Sequence, residues 1–319
     1  MPVHAFIFPG QGSQAPGMGR DLAGAFAAAR EVFQEVDDTL GQKLSALMFD
    51  GPAEMLTLTE NAQPALMAHS LAVLRVLETE GGFRLADRAV VVAGHSLGEY
   101  SALAAAGAFG IAQAARLLKL RGEAMQKAVP AGTGSMAALL GAEMQLAMEI
   151  CEEAAANPAG GSEVIEPGND NGGGQVVISG ATAAIERAIV IAQAKGVRRA
   201  MKLPVSAPFH CAMMAPAAEV MAEALRASPP ISPAVPVVAN VSAAKASDPA
   251  EIIDLLVQQV TATVRWRECM LAMAGLGVTS FVELGAGKVL SGLVKRVTPD
   301  ATAANAGTPA EIEALLKLL

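Results

Sequence analysis

The chain has 319 residues, 52% of them hydrophobic, and a formal net charge of −8 at pH 7. This length and apolar fraction predict a globular protein with a large core. The acidic balance, with a single Trp and a single Tyr, argues against nucleic acid as a partner, because a polyanion requires basic patches and stacking surfaces. No apolar run approaches the roughly 18 to 20 residues that span a bilayer. We therefore expect no membrane partner and a cytoplasmic location.

Short strand-like runs alternate with longer helical patterns over residues 1–132. Strands are predicted at 3–8 and 88–93, and helices before residue 80, at 97–106 and at 111–127. The pattern ends where Pro130, Gly132 and Gly134 cluster. Such alternation predicts an α/β fold with a largely parallel sheet.

The element order changes over residues 133–203. The pattern predicts strands and helices in the order βαββαβ, at 135–140, 142–156, near 164–165, 175–179, 182–195 and 197–203. This order is typical of a ferredoxin-like unit. We predict an inserted subdomain at 133–203 within an α/β core formed by 1–132 and 204–319. The later elements of the core are predicted near 212–225, 236–239, 251–260, 266–274 and 280–284, with a last helix from Pro309.

A possible nucleophile stands in the run GHSLG at residues 94–98, which has the G-x-S-x-G form. The run follows an apolar strand and precedes an apolar helix, as a nucleophile elbow requires. Glycines permit the sharp turn that exposes Ser96, and the helix N-terminus places backbone N–H groups, that of Leu97 among them, beside a reacting carbonyl. The alternative is a structural glycine-rich turn with a capping serine.

A nucleophilic serine requires a base, and the chain has four histidines. His4 begins a strand, His69 lies in a helical run, and the side chain of His95 should point away from that of Ser96 on an extended strand. His210 remains, in the irregular loop 204–210. None of the 31 acidic residues stands in a pattern that marks a third member, and a backbone carbonyl could orient the imidazole instead.

The cysteines and a second glycine-rich run do not indicate a metal, disulfide or nucleotide site. Cys151, Cys211 and Cys269 are far apart and lack metal-ligand spacing, so we expect neither a disulfide nor a metal. The run GAGK at residues 285–288 lacks the spacing of a phosphate-binding loop, and we interpret it as a strand-to-helix turn.

Several runs together resemble the malonyl-CoA:acyl carrier protein transacylases, the stand-alone relatives of acyltransferase domains in fatty acid and polyketide synthases. The resemblance covers nearly the whole chain. It rests on FPGQGSQ at 8–14, GHSLGEY at 94–100, QPA at 63–65, LRG at 120–122 with MQ at 125–126, GQVVISG at 174–180, PFHC at 208–211, and ELG at 283–285 with GKVL at 287–290. It implies a hydrolase-like α/β core with a nucleophile elbow and a ferredoxin-like insert.

The resemblance also implies roles for individual residues. Ser96 would be the nucleophile and His210 its base, oriented by the main-chain carbonyl of Gln259. Gln11 and the Leu97 N–H would form the oxyanion hole. The residues expected to bind the acyl group are Arg121, which would pair with the malonyl carboxylate, Met125 and Phe209.

The alternative for Arg121 is an ordinary surface arginine. The bulky Phe209 before the base would favour malonyl over methylmalonyl. One departure from the family pattern is Thr263, where relatives often carry proline, and it bears on the loop after Gln259. A second is the glycine-rich run at 169–174.

The implied reaction moves a malonyl group from malonyl-CoA to acyl carrier protein through a malonyl-serine, with no cofactor besides the coenzyme A thioester as substrate. Two basic clusters could dock the acidic carrier protein, namely Lys195, Arg198 and Lys202, or Lys288, Lys295 and Arg296. We expect a monomer. The alternatives are a serine thioesterase or esterase, an acyltransferase for another acyl-CoA in a polyketide pathway, and a non-catalytic binding module. A usual α/β hydrolase carries its histidine later in the chain, which weakens the hydrolase alternative.

Overall fold

The computed structural model describes residues 3–205 and 207–318. Residues 1, 2, 206 and 319 of the predicted units lie outside these ranges. The strands are β1 (His4–Phe8), β2 (Ala89–Gly94), β3 (Gly134–Leu140), β4 (Ile165–Gly172), β5 (Gln175–Ala181), β6 (Arg199–Lys202), β7 (Val237–Val238), β8 (Lys245–Ala246), β9 (Ser280–Leu284) and β10 (Thr302–Ala306).

Helices cover most of the remaining chain. They are α1 (Arg20–Ala25), α2 (Ala27–Leu40), α3 (Leu44–Asp50), α4 (Ala53–Thr57), α5 (Thr59–Gly81), α6 (Leu85–Arg88), α7 (Gly98–Ala105), α8 (Ile111–Lys127), α9 (Met144–Ala155), α10 (Thr182–Ala194), α11 (Ala215–Ala227), α12 (Pro249–Gln259), α13 (Trp266–Gly275), α14 (Val289–Val297) and α15 (Pro309–Leu316), with a 3-10 turn at Ala212–Met214.

The larger sheet has the strand order β10-β9-β1-β2-β7-β8. Its pairs are parallel except for β7 with β8. This confirms the predicted α/β class with a largely parallel sheet. In the β1–β2 pair, Phe8 lies opposite Gly94, so the chain leaves both strands at the same edge of the sheet. The segments that follow Phe8 and Gly94 therefore meet there, and they carry Gln11 and Ser96.

Strand β1 is buried on both faces, as expected for a central parallel strand. Because side chains alternate along a strand, Phe6 and Phe8 join one apolar cluster, which includes residues of α5 and α8. Ala5 and Ile7 join the cluster on the opposite face, with Trp266. The sheet is thus covered by helices on both sides, and its edge holds the elbow between two packed layers.

The smaller sheet is antiparallel, with the order β4-β5-β3-β6. Numbered within the insert, this order is 2-3-1-4, which is the ferredoxin-like arrangement that the sequence predicted. Helices α9 and α10 pack on one face, where Leu139 and Ile178 of the sheet meet Ile150 and Ile185 of the helices. The boundaries of the insert at 133 and 203 stay a prediction.

Strand β4 is longer than the sequence predicted, because its polar residues have partners. Asp170 is 2% exposed and bonds Arg267 of α13, with Oδ2 2.8 Å from Nε. Asn171 accepts a hydrogen bond from His95 at 2.9 Å. A Cβ on Gly172 would lie 2.5 Å from a Val297 side-chain carbon. The glycine-rich run therefore lets the insert lie directly against the core.

The sequence analysis did not predict β8 or β10, and it indicated α14 only through the turn at 285–288. The turn at 285–288 joins β9 to α14, as the strand-to-helix interpretation required. The Glu283 carboxylate accepts the N–H groups of Leu290 and Ser291, so a buried side chain, not a local cap, satisfies the first turn of α14. Within 3–205 and 207–318, no helix has both the length and the apolar character of a membrane span.

Candidate active site

Ser96 lies between β2 and α7 with φ of +52°, a left-handed conformation that non-glycine residues adopt at a cost. The flanking glycines are required by space. A Cβ on Gly94 would lie 1.9 Å from the carbonyl carbon of Gly98, and one on Gly98 would lie 2.3 Å from the Phe8 oxygen. The motif therefore forms a strained strand-to-helix turn, the geometry of a nucleophile elbow.

The structure places His210 beside Ser96. The Ser96 hydroxyl Oγ is 2.8 Å from Nε2 of His210, and Nδ1 of the same ring is 2.8 Å from the main-chain oxygen of Gln259. Since a carbonyl oxygen only accepts, Nδ1 carries the proton and Nε2 accepts from the serine. His210 is held at φ of +60°, so both members of the pair have left-handed backbones.

The imidazole of His210 is neutral near pH 7. Burial, and then the nearby positive charge of Arg121, lower the pKa of His210 from 6.5 to about 3. Its side chain is almost fully enclosed, at 3% exposure. A neutral imidazole bonded to the serine hydroxyl can accept its proton as soon as a carbonyl arrives.

The other histidines have structural surroundings. His69 is buried in α5, where Nε2 bonds the Gly307 oxygen at 2.9 Å. His95 bonds Asn171 and lies 5.6 Å from the Trp266 ring, between centroids. His4 lies at the start of β1 beside Phe6. Elimination from the sequence thus selected the histidine that the fold brings to Ser96.

Arg121 is not a surface residue; it is 1% exposed, within α8. Nη2 is 3.2 Å from Ser96 Oγ and 2.9 Å from Gln259 Oε1, and Nη1 is 2.8 Å from Gln63 Oε1. All three acceptors are neutral, and Nε has no hydrogen-bond partner among the described residues. A buried guanidinium normally pairs with an anion. This one can bind an anionic group beside the nucleophile.

Close packing of two helices positions this guanidinium. A Cβ on Gly122 would lie 2.5 Å from the Cα of Glu60, so the glycine lets α8 approach α5. That approach places Arg121 against Gln63, whose Nε2 in turn donates to Thr59 Oγ1 at 2.9 Å. The packing of α5 and α8 therefore sets the position of the Arg121 guanidinium beside Ser96.

Gln11 and Met125 are joined to the same polar chain. The Thr59 hydroxyl donates to Gln11 Oε1 at 2.9 Å, and Gln63 Nε2 lies 3.7 Å from the Met125 sulfur. Met125 is 1% exposed. Gln11 and Met125 are therefore linked to Arg121 through Gln63, and the sequence analysis assigned no role to Gln63 or Thr59.

Leu97 and Phe209 each adjoin a member of the serine–histidine pair. Leu97 is the residue before α7, and its N–H makes no hydrogen bond within the described chain. An unpaired N–H at a helix N-terminus is available to a developing oxyanion. Phe209 is 8% exposed and belongs to the main apolar cluster, so it can limit the size of a group beside His210.

Sequence reasoning missed two further buried residues of the site, Glu99 and Asn240. Asn240 accepts the Ser96 N–H on Oδ1 at 2.8 Å, and Nδ2 donates to the Gly94 oxygen at 2.8 Å. Glu99 accepts the Asn240 N–H on Oε2 at 2.9 Å. The position of Glu99, three residues after Ser96 in the first helical turn, was a usable signal. Asn240 follows the element predicted at 236–239, but it stands in no motif that marks it.

This fold and this site are typical of enzymes that use a serine nucleophile for acyl chemistry. The pattern described as "Acyl transferase domain" matches residues 5–311, and the chain belongs to that family.

Named relatives agree with this membership. The chain is 44% identical over 318 residues to the malonyl CoA-acyl carrier protein transacylase of Escherichia coli strain K12, covering 100% of both proteins. The crystal structure of acyl-carrier-protein-S-malonyltransferase from Bartonella henselae is 53% identical, covers 99% of each chain and has a TM-score of 0.95. A malonyl transacylase in complex with its type II polyketide acyl carrier protein is 41% identical, covers 99% of this chain and 100% of that one, and has a TM-score of 0.94.

Proposed function

We propose that the protein transfers the malonyl group of malonyl-CoA to the phosphopantetheine thiol of acyl carrier protein. The observation that carries this proposal is the buried Arg121 guanidinium, 3.2 Å from Ser96 Oγ, with no anion bonded to it among the described residues. A malonyl carboxylate is separated from the thioester carbonyl by one methylene. A carboxylate on an acyl group held by Ser96 therefore falls within reach of Arg121.

In the first half-reaction, Ser96 Oγ attacks the thioester carbonyl while Nε2 of His210 takes its proton. The Leu97 N–H and Gln11 stabilise the oxyanion that forms. The C–S bond then breaks, and His210 protonates the departing coenzyme A thiolate. A malonyl ester on Ser96 and free coenzyme A remain.

In the second half-reaction, His210 takes the proton of the pantetheine thiol, and the sulfur attacks the ester carbonyl. The bond from carbon to Ser96 Oγ breaks, and His210 returns the proton to the serine. Both half-reactions use one base and one oxyanion site, which is the arrangement of ping-pong transfer.

Intact-protein mass tests the proposal. Wild type and Ser96→Ala are mixed briefly with malonyl-CoA, and pantetheinylated carrier protein is then added. We expect a malonyl adduct on wild type only, which the carrier protein removes and retains. An adduct lost mainly to water would favour a thioesterase, and the absence of any adduct would contradict malonyl-CoA as the donor.

The geometry also supports one surface for carrier-protein docking that combines parts of both basic clusters. Lys195, Lys202 and Lys288 have carboxylate partners, whereas Arg198, Lys295 and Arg296 form no salt bridge within the described chain. The backbones at Gly141 and Gly174 are in contact, with the side chain of Arg198 against Gly141 and that of Arg296 against neighbouring Gly173. Arg198 and Arg296 therefore flank one pair of turns.

Charge reversal tests this docking surface. Arg198→Glu and Arg296→Glu should each raise KM for the carrier protein, and the raised KM should depend less on salt, while kcat/KM for malonyl-CoA is retained. Lys195→Glu, at a cation already paired with Glu153, is the control. An unchanged KM in both arginine variants would place docking elsewhere.

A cytoplasmic location, a monomeric state and the absence of a cofactor stay predictions. The polyketide alternative has one supporting observation, since one similar structure contains a polyketide carrier protein. Comparing kcat/KM for fatty acid and polyketide carrier proteins distinguishes the two pathways, because the acyl site is the same for both.

A further inference from the structure

The reaction proposed above assigns no role to Glu99. This carboxylate is 1% exposed in the first turn of α7, three residues after Ser96, and it forms no ion pair within 3–205 and 207–318. Its Oε2 accepts two hydrogen bonds, from the Asn240 N–H at 2.9 Å and from Gln259 Nε2 at 2.8 Å. Burying an ionisable group in this way is costly unless its partners are fixed.

The two partners of Glu99, Gln259 and Asn240, are hydrogen-bonded to Ser96, His210 and Arg121. Gln259 accepts from His210 through its main-chain oxygen and from Arg121 through Oε1. Its Nε2 also donates to the main-chain oxygen of Ser96 at 3.1 Å. Asn240 holds the Ser96 N–H. One carboxylate is therefore bonded to both residues that orient the nucleophile, its base and the guanidinium.

The position of the Glu99 carboxylate affects how the side-chain amide of Gln259 is oriented. A glutamine amide can be rotated by half a turn, which exchanges its oxygen and its NH₂ group. The Glu99 carboxylate only accepts when ionised, so it selects the orientation in which Gln259 Nε2 faces Glu99 and Oε1 faces Arg121. In the rotated orientation the NH₂ group would face the guanidinium, where donor would meet donor.

We propose that Glu99 is a positioning residue of acyl transfer: through Gln259 and Asn240 it fixes Arg121, His210 and the Ser96 backbone in one arrangement. The effect of Glu99 on malonyl transfer rests on the function proposed above. The effect of Glu99 on the reactivity of Ser96 does not depend on that function.

The ionisation state of Glu99 bears on this role. Burial raises the pKa of Glu99 to about 7, and the hydrogen bonds from Asn240 and Gln259 and the charge of Arg121 oppose that rise. The other titratable groups that face it are Tyr100, on α7, and Cys269, on α13. Burial raises the pKa of both, so they stay neutral near pH 7. Protonating Glu99 gives it a donor and weakens the preference that orients Gln259, since the contacts of Gln259 with Arg121 and with the Ser96 main-chain oxygen remain.

Glu99→Gln tests the proposal, with Glu283→Gln as the matched control. Glu283 is a fully buried carboxylate that also accepts two N–H groups, but its hydrogen bonds hold the first turn of α14 and not Gln259 or Asn240. The measurements are kcat and KM for malonyl-CoA, melting temperature, and the rate at which a fluorophosphonate labels Ser96.

We expect Glu99→Gln to lower kcat and the labelling rate together by about 10- to 100-fold, with KM within about threefold, because misplacing reacting groups costs rate more than binding. Glu283→Gln should lower the melting temperature and leave both rates within about twofold. Rates in Glu99→Gln within twofold of wild type, or an equal loss in both variants, would overturn the proposal.

A measurement on wild type keeps the proposal testable if Glu99→Gln does not fold. The labelling rate of folded wild type should fall as pH decreases through about 7, the pKa of Glu99, and a flat rate between pH 5 and 8 would overturn the proposal. Labelling requires no acyl-CoA, so the outcome stands even if malonyl-CoA proves not to be the donor.

Discussion

Replacing Arg121 with alanine should remove the preference for malonyl-CoA over acetyl-CoA that the proposed function assigns to this side chain. The side chain is 1% exposed and ends 3.2 Å from Ser96 Oγ. A fork of two charge-assisted hydrogen bonds to a malonyl carboxylate is worth about 1.5–3 kcal/mol per bond. Losing both amounts to about 3–6 kcal/mol, or about 10²- to 10⁴-fold in kcat/KM.

Acetyl-CoA separates this effect from damage to the site. Arg121→Ala also leaves Gln63 and Gln259 without their donor, and that loss affects both acyl groups equally. The ratio of kcat/KM for malonyl-CoA to that for acetyl-CoA therefore isolates the carboxylate. We expect the ratio to fall by about the factor worked out above, because acetyl transfer carries only the shared loss.

Two variants of the same helix complete the assay. Arg121→Lys keeps the charge but not the fork, so its ratio should lie between those of wild type and Arg121→Ala. Arg116→Ala, at an exposed position of α8, should leave the ratio unchanged. An equal loss of malonyl and acetyl transfer in Arg121→Ala would refute the assignment of Arg121 to the carboxylate.

Three other predictions concern the acyl preference set by Phe209, the pH dependence of Ser96 labelling, and the pH dependence of stability due to His210. Phe209→Ser should raise methylmalonyl use relative to malonyl by about 10-fold or more, since one methyl in a pocket is worth about 1–3 kcal/mol; an unchanged ratio in competition assays would rule out the steric explanation. In Arg121→Ala the acid limb of Ser96 labelling should move to higher pH, because removing a cation raises the pKa of His210 from about 3 and that of Glu99 from about 7; a limb that moves down would contradict the stated causes. Between pH 6.5 and 3 the folded protein binds fewer protons at His210 than the unfolded chain does, so stability falls as pH falls through this window. His210→Gln should make that fall shallower in thermal melts, and an equally steep fall would show that other groups cause it.

The sequence predicted the parts of the site that depend on local chain geometry or on a scarce residue type. The elbow at Ser96 was predictable because only glycine fits at positions 94 and 98. His210 was predictable because the chain has four histidines and three of them lie in regular elements or beside the nucleophile. The role of the Gln259 carbonyl entered only through a family resemblance, since any residue type offers a carbonyl. The contact is present with threonine at position 263, where the hydroxyl bonds the Pro167 oxygen at 2.6 Å.

Other features were not predictable because long-range partners determine them. Strand β4 contains Asp170 and Asn171, which resemble loop residues until Arg267 and His95 are in place. Glu99 is a charge in an apolar helix, and only the fold brings it to Gln259, 160 residues later in the chain. Strand β10 is partly buried and contains alanine, threonine and asparagine, so its composition carries little strand signal, and its pairing with β9 decides its conformation.

The insert has a place in the site that its position in the chain explains. It separates α8, which carries Arg121, from the loop that carries His210. Strand β4 docks by hydrogen bonds of Gly168 and Asp170 with the main chain of Val264, five residues after Gln259. Asn171 bonds His95, the residue before the nucleophile. The insert thus contacts both the residue before Ser96 and the segment after Gln259, and a shift of β4 would move Ser96 and the carbonyl that bonds His210 together.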